Sequence, residues 1–456
     1  MMQTVRAFRI PVLAVINALV LGALTIWLTS GSLDTVVKAY QGLIDGSLLS
    51  ERGLSETFVA TIPYVFASLA VALAFQAGLF NIGVEGQFTI GALSAVFVGT
   101  LSHDWPALIH LPLTLLGAMA GAGVWAGIAG VLKARFGAHE VINTIMMNYI
   151  AFRIGEYLIT DKSRMRDPAS SAVQTSSISQ QAELWRLWDV PNRLHDPLNA
   201  LLLGIVLAGV GFVLARLLAR GFGPRTLPRA RREVVSRLVA FANRAARSAR
   251  WMSIGGALAG FVVGAVVMPL TISAWWPFVN DKDRLHIGVF IAPAAAVLIW
   301  WLIYKTTIGF ELRTVGRNSN AAIYAGINRG RNIVLAMVLS GALAGLAGAT
   351  EVMGVSTCRC LPLFFSSGYG FDSIAIALVA ATHPLGILPV ALLFGALRNG
   401  ADLMELRSGV SKYIISLIQA FVLLFVAAPI ITRAIYRIKA PRGQDEGVPM
   451  TRGWGA

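Results

Sequence analysis

Long apolar runs constrain the fold of this chain more than any other feature of its sequence. Hydrophobic residues make up 56% of it and charged residues only 13%, against about 25% charged residues in ordinary soluble proteins. A short pair of runs, 371–382 and 384–397, is divided by His383 and Pro384. Ten other runs reach or approach the length that crosses about 30 Å of hydrocarbon: 10–29, 57–79, 88–101, 107–132, 141–159, 198–218, 251–271, 287–304, 332–355 and 412–432. The chain is therefore predicted to be an all-α polytopic membrane protein, with about ten transmembrane helices and a short broken or re-entrant pair.

Positive charge is concentrated in a few of the connections between these runs. The net charge is +15, and ten arginines lie within 216–250 with Glu233 as the only acidic residue there. The connection 305–331 is also basic, whereas 30–56 and 161–196 mix acids and bases. Because basic loops stay in the cytoplasm, both termini are predicted to be cytoplasmic. No aromatic residues are interleaved with these arginines in the manner of a nucleic-acid-binding module, so contact with membrane lipids is predicted and contact with nucleic acid is not.

The chain divides into five predicted parts. Residues 1–56 hold the first transmembrane helix and an external loop, and 57–218 hold further transmembrane helices with a polar external segment at 161–196. Residues 219–250 form a basic cytoplasmic insert, which either lies on the inner leaflet or extends the next span into solvent. Residues 251–432 are again transmembrane helices, and the tail 433–456 is predicted to be disordered because it has little to bury.

A group of polar residues opens the apolar run at 80–99. Asn81, Glu85 and Gln87 are interspersed with Gly83 and Gly86. Polar groups are expensive in hydrocarbon and persist mainly where they line a cavity or find partners, and paired glycines let the backbone break. The pattern indicates a broken helix start beside a translocated solute. The alternative is that Asn81 and Glu85 cap and pin the broken helix ends.

Other polar residues at membrane depth give weaker signals. Asn148 is a second cavity candidate, and Glu351 and Asp372 are possible gates or simply interfacial groups. No nucleophile and base, and no set of metal ligands, qualifies as a catalytic site, so neither an enzyme nor a metal site is predicted. Cys358 and Cys360 are one residue apart, a spacing that makes a mutual disulfide awkward, and they are predicted to be two ordinary thiols.

The basic connection 305–331 predicts a short helix. The side chains of Asn318, Ser319 and Asn320 are good helix N-caps, and small and apolar residues follow them up to Gly326. This helix is expected on the inner face of the membrane, where it is either a contact for another protein or an ordinary amphipathic connector.

Five motifs together resemble one known family. They are FNIGVEGQ at 80–87, HEVINTIMMNYIA at 139–151, GFELRTVGRNSNAAIYAGI at 309–327, SGALAGLAGATEVMG at 340–354 and GYGFDSIAIALVA at 368–380. They look like the ABC importer permeases that serve branched-chain amino acids, ribose-type sugars and nucleosides, and are most similar to the nucleoside branch. The Gly-Ile-Asp-Leu-Ser motif usual in the sugar branch is absent. The resemblance covers roughly 57–430.

The resemblance implies a division of labour among several proteins. Two permease chains, identical or not, would form the membrane part, and an external binding protein would deliver solute. Cytoplasmic ATPase subunits would carry ATP-Mg and dock on the helix matching 311–326. Residues of this chain that match the coupling element are Glu311, Arg313, Gly316, Asn318, Ala321, Ala322 and Gly326. The chain has no Gly-x-x-x-x-Gly-Lys-Ser/Thr loop to hold phosphates, so it is expected to bind no cofactor and to hydrolyse no ATP itself.

The expected function is inward movement of a small polar solute, a nucleoside, by alternating access. If residues 81–88 continue as a helix, Asn81, Glu85 and Phe88 share one face. Amides and a carboxylate would then pair with ribose hydroxyls and base edges, with Phe88 stacking on the base. The predicted solute-binding residues are Asn81, Glu85, Gln87, Phe88 and Asn148. The alternatives are a ribose-type sugar as solute, or an ion-coupled transporter that uses Glu85 and Glu351 as coupling carboxylates.

Overall fold

A computed structural model describes 2–50, 52–102, 104–160, 165–205, 258, 261–267, 281, 283–363, 365, 368–428, 431–432 and 435–436. The predicted basic insert 219–250 and nearly all of the predicted disordered tail 433–456 lie outside these residues. The chain divides into a larger unit, made of 1–103, 111–184 and 283–456, and a smaller unit, made of 104–110 and 185–282. In the smaller unit, Arg193 pairs with Asp189 at 2.7 Å. Every contact discussed below lies within the larger unit.

The described residues form helices, with two isolated β-bridges and no strand among them. In chain order the helices are α1 (Met2–Ser30), α2 (Leu33–Ile44), α3 (Gly53–Gln76), α4 (Val84–Gly99), α5 (Ala107–Phe136), α6 (Glu140–Thr160), α7 (Val190–Leu194), α8 (Gly288–Lys305), α9 (Thr307–Arg317), α10 (Ser319–Tyr324), α11 (Arg329–Thr350), α12 (Tyr369–Val379), α13 (Pro384–Ser408) and α14 (Ile414–Ala427). Wider π-helical turns continue α2 over Asp45–Leu49 and α11 over Glu351–Val355.

Six described helices are long and apolar enough to cross a membrane: Val12–Ser30, Gly53–Gln76, Ala107–Phe136, Gly288–Lys305, Arg329–Val355 and Pro384–Ser408. Three shorter apolar helices, Val84–Gly99, Tyr369–Val379 and Ile414–Val426, accompany them. The prediction of an all-α polytopic membrane protein is confirmed. The predicted spans 198–218 and 251–271 lie largely outside the described residues.

Two segments are more helical than the sequence pattern indicated. Residues 33–49, expected in an external loop, are helical because their buried face packs on α13: a Cβ added to Gly42 would lie 2.8 Å from the Cα of Met404. The run 384–397, expected to be short, begins a helix of 25 residues that ends at Ser408. Polar residues after Leu397 concealed its length, and one of them binds another part of the protein: Asn399 Nδ2 donates to Gly46 O at 3.0 Å.

Small residues allow the helices around α3 to approach one another closely. A Cβ on Gly91 of α4 would lie 2.3 Å from the Cα of Gly345 of α11, and one on Gly348 would lie 2.1 Å from the carbonyl oxygen of Phe88. In lipid, helices associate through such close packing rather than through water exclusion. The contact fixes α4 against α11.

Helices α4 and α12, with 16 and 11 residues, are shorter than a full membrane span, and their first turns lie next to each other. Glu85, in the first turn of α4, accepts hydrogen bonds from the backbone N–H groups of Gly368 and Gly370, where α12 begins. The far end of α12 reaches the end of α3, where Gln76 Nε2 donates to Thr382 Oγ1 at 2.9 Å. The predicted broken helix start at 80–87 is thus paired with a second one at 368.

The segment that precedes α12 corrects the prediction for the cysteines. Cys358 and Cys360 form a disulfide, with their Cα atoms 5.1 Å apart, a usual separation for bridged residues. The expectation of two thiols was wrong because Arg359 between them has a φ of 54°, and this left-handed turn brings the two side chains to one side. The Arg359 guanidinium donates to Gly354 O and pairs with Glu183 at 3.3 Å.

Candidate functional site

The amide pair Asn81 and Gln87 joins three helices. Each side chain donates to the other, at 2.9 and 3.0 Å, and Asn81 Nδ2 also donates to Ser340 Oγ at 2.9 Å. Ser340 Oγ in turn donates to Ala70 O at 2.7 Å. Because α4 begins only at Val84, Asn81 lies outside the helix, and the condition under which it would share a helical face with Glu85 and Phe88 is not met. Both amides are buried in this network.

Glu85 and Asn148 accept hydrogen bonds from backbone N–H groups at the two broken helix starts. The first N–H groups of a helix have no partner within it, and the positive end of the helix dipole favours a carboxylate there. Glu85 supplies that carboxylate to α12. At the start of α4 the acceptor is a neutral amide from α6: Asn148 Oδ1 accepts from Gly86 N at 2.8 Å while its Nδ2 donates to Ile82 O at 3.0 Å. Contact of these residues with a solute stays a prediction.

Replacing Glu85 by alanine is expected to destabilise the start of α12. The change leaves one buried and one partly buried N–H group without their carboxylate acceptor, which costs about 3 kcal/mol of unfolding free energy. Thermal unfolding of the protein in detergent measures the loss. The control is Asp34→Ala, since Asp34 is 69% exposed and pairs with Lys38 on the surface, an interaction worth about 0.5 kcal/mol. Equal melting temperatures for the two variants would contradict the capping role.

Phe88 belongs to a column of aromatic rings. Its ring is buried and stacks on Phe365 with centroids 5.5 Å apart and planes 16° apart, and the ring of Tyr369 lies 5.7 Å away. The column continues to Tyr64, whose ring centroid lies 4.6 Å from that of Tyr369. Phe88 therefore stacks on protein rings here, and its stacking on a solute base remains a prediction.

Beside this column lies a group of ionisable residues, the Tyr64 cluster, made of Tyr64, Glu351, Tyr369, Asp372 and Arg398. Tyr64 Oη donates to Asp372 Oδ2 at 2.8 Å and accepts from Arg398 Nη1 at 3.2 Å. The Arg398 guanidinium also lies 4.1 Å above the centroid of the Tyr369 ring, and the Glu351 carboxylate lies beside the Tyr369 hydroxyl. The two predicted gate residues, Glu351 and Asp372, are thus brought into one cluster.

Three members of the Tyr64 cluster were missed in the sequence. Arg398 could have been found, because an ionisable residue in an apolar run is itself a signal, but the predicted run ended one residue too early at Leu397. Tyr64 and Tyr369 carry no local signal. Only the packing of α3 against α12 and α13 places their hydroxyl groups near carboxylates.

A second ion pair lies next to the cluster, before α8. Arg284 Nε donates to Glu56 Oε1 at 2.9 Å and its Nη1 donates to Val355 O at 3.3 Å. The hydrogen bonds that Arg284 donates to the Glu56 carboxylate raise the pKa of Arg284 above its usual value. This pair ties the start of α3 to the π-helical turn that contains Glu351.

The predicted coupling element forms two helices rather than one. Asn318 separates α9 from α10, and its Oδ1 accepts from Ala321 N at 3.0 Å, which confirms it as an N-cap. On α9, Glu311 accepts from Asn332 Nδ2 at 3.0 Å, and the Arg313 guanidinium lies 5.2 Å from the Tyr304 ring. These contacts fix α9 to the neighbouring spans.

Gly316 joins this element to the end of α3. A Cβ there would lie 2.6 Å from backbone atoms of Gln76, Ala77 and Gly78. On α10, Ala322 is buried and Ala321 exposed, and the helix ends at Tyr324, two residues before Gly326, which has a φ of 75°. Ile323 and Tyr324 are 54% and 94% exposed. The element therefore exposes the apolar side chains of Ile323 and Tyr324, while Gly316 and Ala322 pack against the rest of the protein.

The comparison with known proteins decides the family. The family described as branched-chain amino acid transport system / permease component matches residues 53–427. The chain belongs to this permease family. It is an integral membrane protein, as the six long apolar helices also indicate, and the resemblance found in its motifs is confirmed.

Three relatives of this permease are similar along nearly the whole chain. A guanosine ABC transporter permease protein of Bacillus subtilis is 35% identical over 92% of both chains. A glucose ABC transporter permease protein of Haloferax volcanii is 29% identical over 92% of this chain and 87% of its own. A nucleoside ABC transporter permease protein of Lactococcus lactis is 28% identical over 93% and 92%. No solved structure matches the chain.

Proposed function

We propose that this permease moves nucleosides into the cell by alternating access, as part of an ATP-driven importer. The observation that carries the proposal is the 35% identity over 92% of both chains to a permease named for guanosine. The Tyr64 cluster adds hydrogen-bonding groups and aromatic faces where α4 and α12 begin. These are the groups that a nucleoside, with its flat base and hydroxylated sugar, needs.

The partners follow from the family and from the surface of α10. Cytoplasmic ATPase subunits carrying ATP-Mg dock on the exposed Ile323 and Tyr324, a second permease chain completes the membrane part, and a binding protein delivers solute from outside. The permease then lies in a bacterial-type inner membrane, with both of its termini on the cytoplasmic side. Glu311, Arg313, Gly316, Asn318, Ala321, Ala322 and Gly326 form the coupling element.

A chain of contacts links the docking surface to the Tyr64 cluster. Gly316 lies against the backbone of Gln76, and Gln76 hydrogen-bonds to Thr382, in the turn between α12 and α13. Thr382 has a φ of 56°, a strained conformation for a β-branched residue. Asp372 and Arg398 lie on the two helices that this turn joins. Movement of α9 and α10 is thereby transmitted to both sides of the cluster.

Uptake into proteoliposomes tests this function. The permease, reconstituted with its partner subunits and binding protein, is expected to accumulate radiolabelled guanosine only when ATP is supplied. An excess of unlabelled nucleosides should abolish the signal, and an excess of glucose should not. Competition by glucose alone would favour a sugar, the alternative supported by the glucose permease relative.

The same preparation distinguishes an ion-coupled transporter. Ionophores should leave ATP-driven uptake intact, and the permease without its partners should accumulate nothing. Accumulation by this chain alone, dissipated by ionophores, would refute the proposal and would favour Glu85 and Glu351 as coupling carboxylates.

A further inference from the structure

A groove lies between α5 and α11, where α5 ends and α11 begins. Its volume is about 560 Å³, and its wall is mainly aliphatic, with Val131 from α5 and Val334, Leu335 and Val338 from α11. Among the described residues that line it there is no aromatic ring. Val131 is 37% exposed, so the groove opens at the surface of the protein. It therefore offers an aliphatic wall to a ligand that arrives from outside.

The packing of the two helices explains where the groove forms. A Cβ added to Gly341 would lie 2.4 Å from the carbonyl oxygen of Ala122, whereas one added to Gly330 would lie 3.8 Å from the Cβ of Ala134. Small residues let helix backbones approach closely in a membrane. The two helices therefore run antiparallel, pack tightly at Gly341 and separate toward the ends that form the groove.

Two arginines lie at the end of the groove, one on each helix. Arg135 is in the last turn of α5 and Arg331 is in the first turn of α11, and both are exposed and line the groove. No carboxylate in the described part of the chain pairs with either guanidinium. The nearby Glu140 is already paired with Lys133 at 2.8 Å. The groove therefore carries two positive charges, which are complementary to an anion.

The spacing of these residues places the arginines in line with the aliphatic wall. Val334, Leu335 and Val338 follow Arg331 by three, four and seven residues, and such residues share one face of a helix. On α5, Arg135 follows Val131 by four residues. Seven residues of helix rise about 10 Å. A complementary ligand therefore has an anionic group joined to at least about 10 Å of hydrocarbon.

The position of the groove in the chain indicates where such a ligand comes from. Helix α11 begins three residues after Gly326, the end of the coupling element, and the proposed function places this end of α11 at the cytoplasmic side of the membrane. Anionic phospholipids are concentrated in that leaflet, and basic pockets between transmembrane helices bind their headgroups. A soluble anion or an acidic peptide would leave the aliphatic wall uncovered.

We propose that this groove binds one anionic phospholipid of the inner leaflet. Its phosphate lies between Arg135 and Arg331, and the upper part of an acyl chain lies along Val131, Val334 and Val338. The site is separate from the path of the solute, and it adds a lipid ligand to the proposed function.

Native mass spectrometry of the importer complex in detergent tests the site. Phosphatidylglycerol or phosphatidylcholine with the same acyl chains is added, and each affinity is obtained from the fraction of complex that carries lipid. Phosphatidylglycerol is expected to bind more tightly. Arg135→Gln and Arg331→Gln should each weaken its binding about fivefold, because each removes one cation from the phosphate, and should change the binding of phosphatidylcholine little.

Arg329→Gln is the matched control. Arg329 is exposed in the same turn of α11 as Arg331 but does not line the groove, and the change removes the same charge. It should leave the affinity for phosphatidylglycerol at the wild-type value. Equal losses in Arg329→Gln and Arg331→Gln would indicate general attraction to a basic surface and would overturn the site. Equal affinities of the wild-type complex for the two lipids would overturn it as well.

Two measurements on the wild-type protein need no variant. Inorganic phosphate at the same concentration as the lipid should not displace phosphatidylglycerol, because it makes no contact with the aliphatic wall. Displacement would assign the groove to a soluble anion. Binding of phosphatidylglycerol by the permease alone but not by the assembled complex would assign the groove to a contact with another subunit. Either result would overturn the lipid site, while nucleoside uptake, measured separately, decides the proposed function.

Discussion

Changing Tyr324 to aspartate is expected to abolish ATP-driven uptake while leaving the permease folded. Tyr324 is 94% exposed at the end of α10, so its side chain contributes little to the stability of the free permease. In the assembled importer it is expected to be buried against an ATPase subunit. Aromatic residues at the centre of an interface carry much of its binding energy, and a buried, unpaired carboxylate is more costly still.

The expected size is a loss of roughly 100-fold in ATPase association. Co-purification of the ATPase with the tagged permease measures the association, and proteoliposome uptake measures the consequence. The matched control is Tyr413→Asp, because Tyr413 is 76% exposed and lies between α13 and α14, away from the coupling element. If Tyr324→Asp still retained the ATPase, the docking surface would have to lie elsewhere.

The second large effect is expected at Gly316. Glycine to alanine inside a helix usually stabilises a protein by up to about 1 kcal/mol. At Gly316 the sign reverses, because the added Cβ would lie 2.6 Å from three backbone atoms of 76–78, and backbone cannot move aside as a flexible side chain can. We expect a loss of about 1–3 kcal/mol of unfolding free energy, and uptake reduced to about a tenth or less.

Thermal unfolding and the number of ATP molecules hydrolysed per nucleoside imported measure the two effects. If the contact between α9 and α3 is loosened, the ATPase subunits should continue to hydrolyse ATP while little nucleoside is transported. Gly330→Ala is the control, since the nearest atoms to its added Cβ are 3.7 Å away, an ordinary contact. Normal stability and transport in Gly316→Ala would show that this contact does not couple the two helices.

Local features of the chain were predicted well. The Asn318 cap of α10 was readable because a helix N-cap depends on a residue and its neighbours three positions on. Most spans were readable because hydrophobicity and length suffice to place them. The same rule failed at α13, where an arginine and an asparagine that face other helices interrupt the apolar run.

Long-range pairing could not be predicted. Glu85 was singled out in the sequence, but its partner, the start of α12, lies more than 280 residues away in the chain. The sequence pattern left open whether its carboxylate bound a solute or capped a helix, since both uses require a buried acceptor. The disulfide depended on the left-handed conformation of Arg359, which is held by contacts with Gly354 and Glu183.

The amino-acid order alone was enough to establish a membrane protein, the positions of most of its spans, the short capped helix at 319 and the permease family, because each of these depends on hydrophobicity or motifs within short stretches. The tertiary structure decided that Tyr64, Glu351, Tyr369, Asp372 and Arg398 form one cluster and that the two broken helices begin side by side. These residues come from four separate segments, and no local rule relates them. Their meeting depends on the close approach of α13 to α3, where a Cβ added to Gly395 would lie 2.3 Å from Thr61 Oγ1.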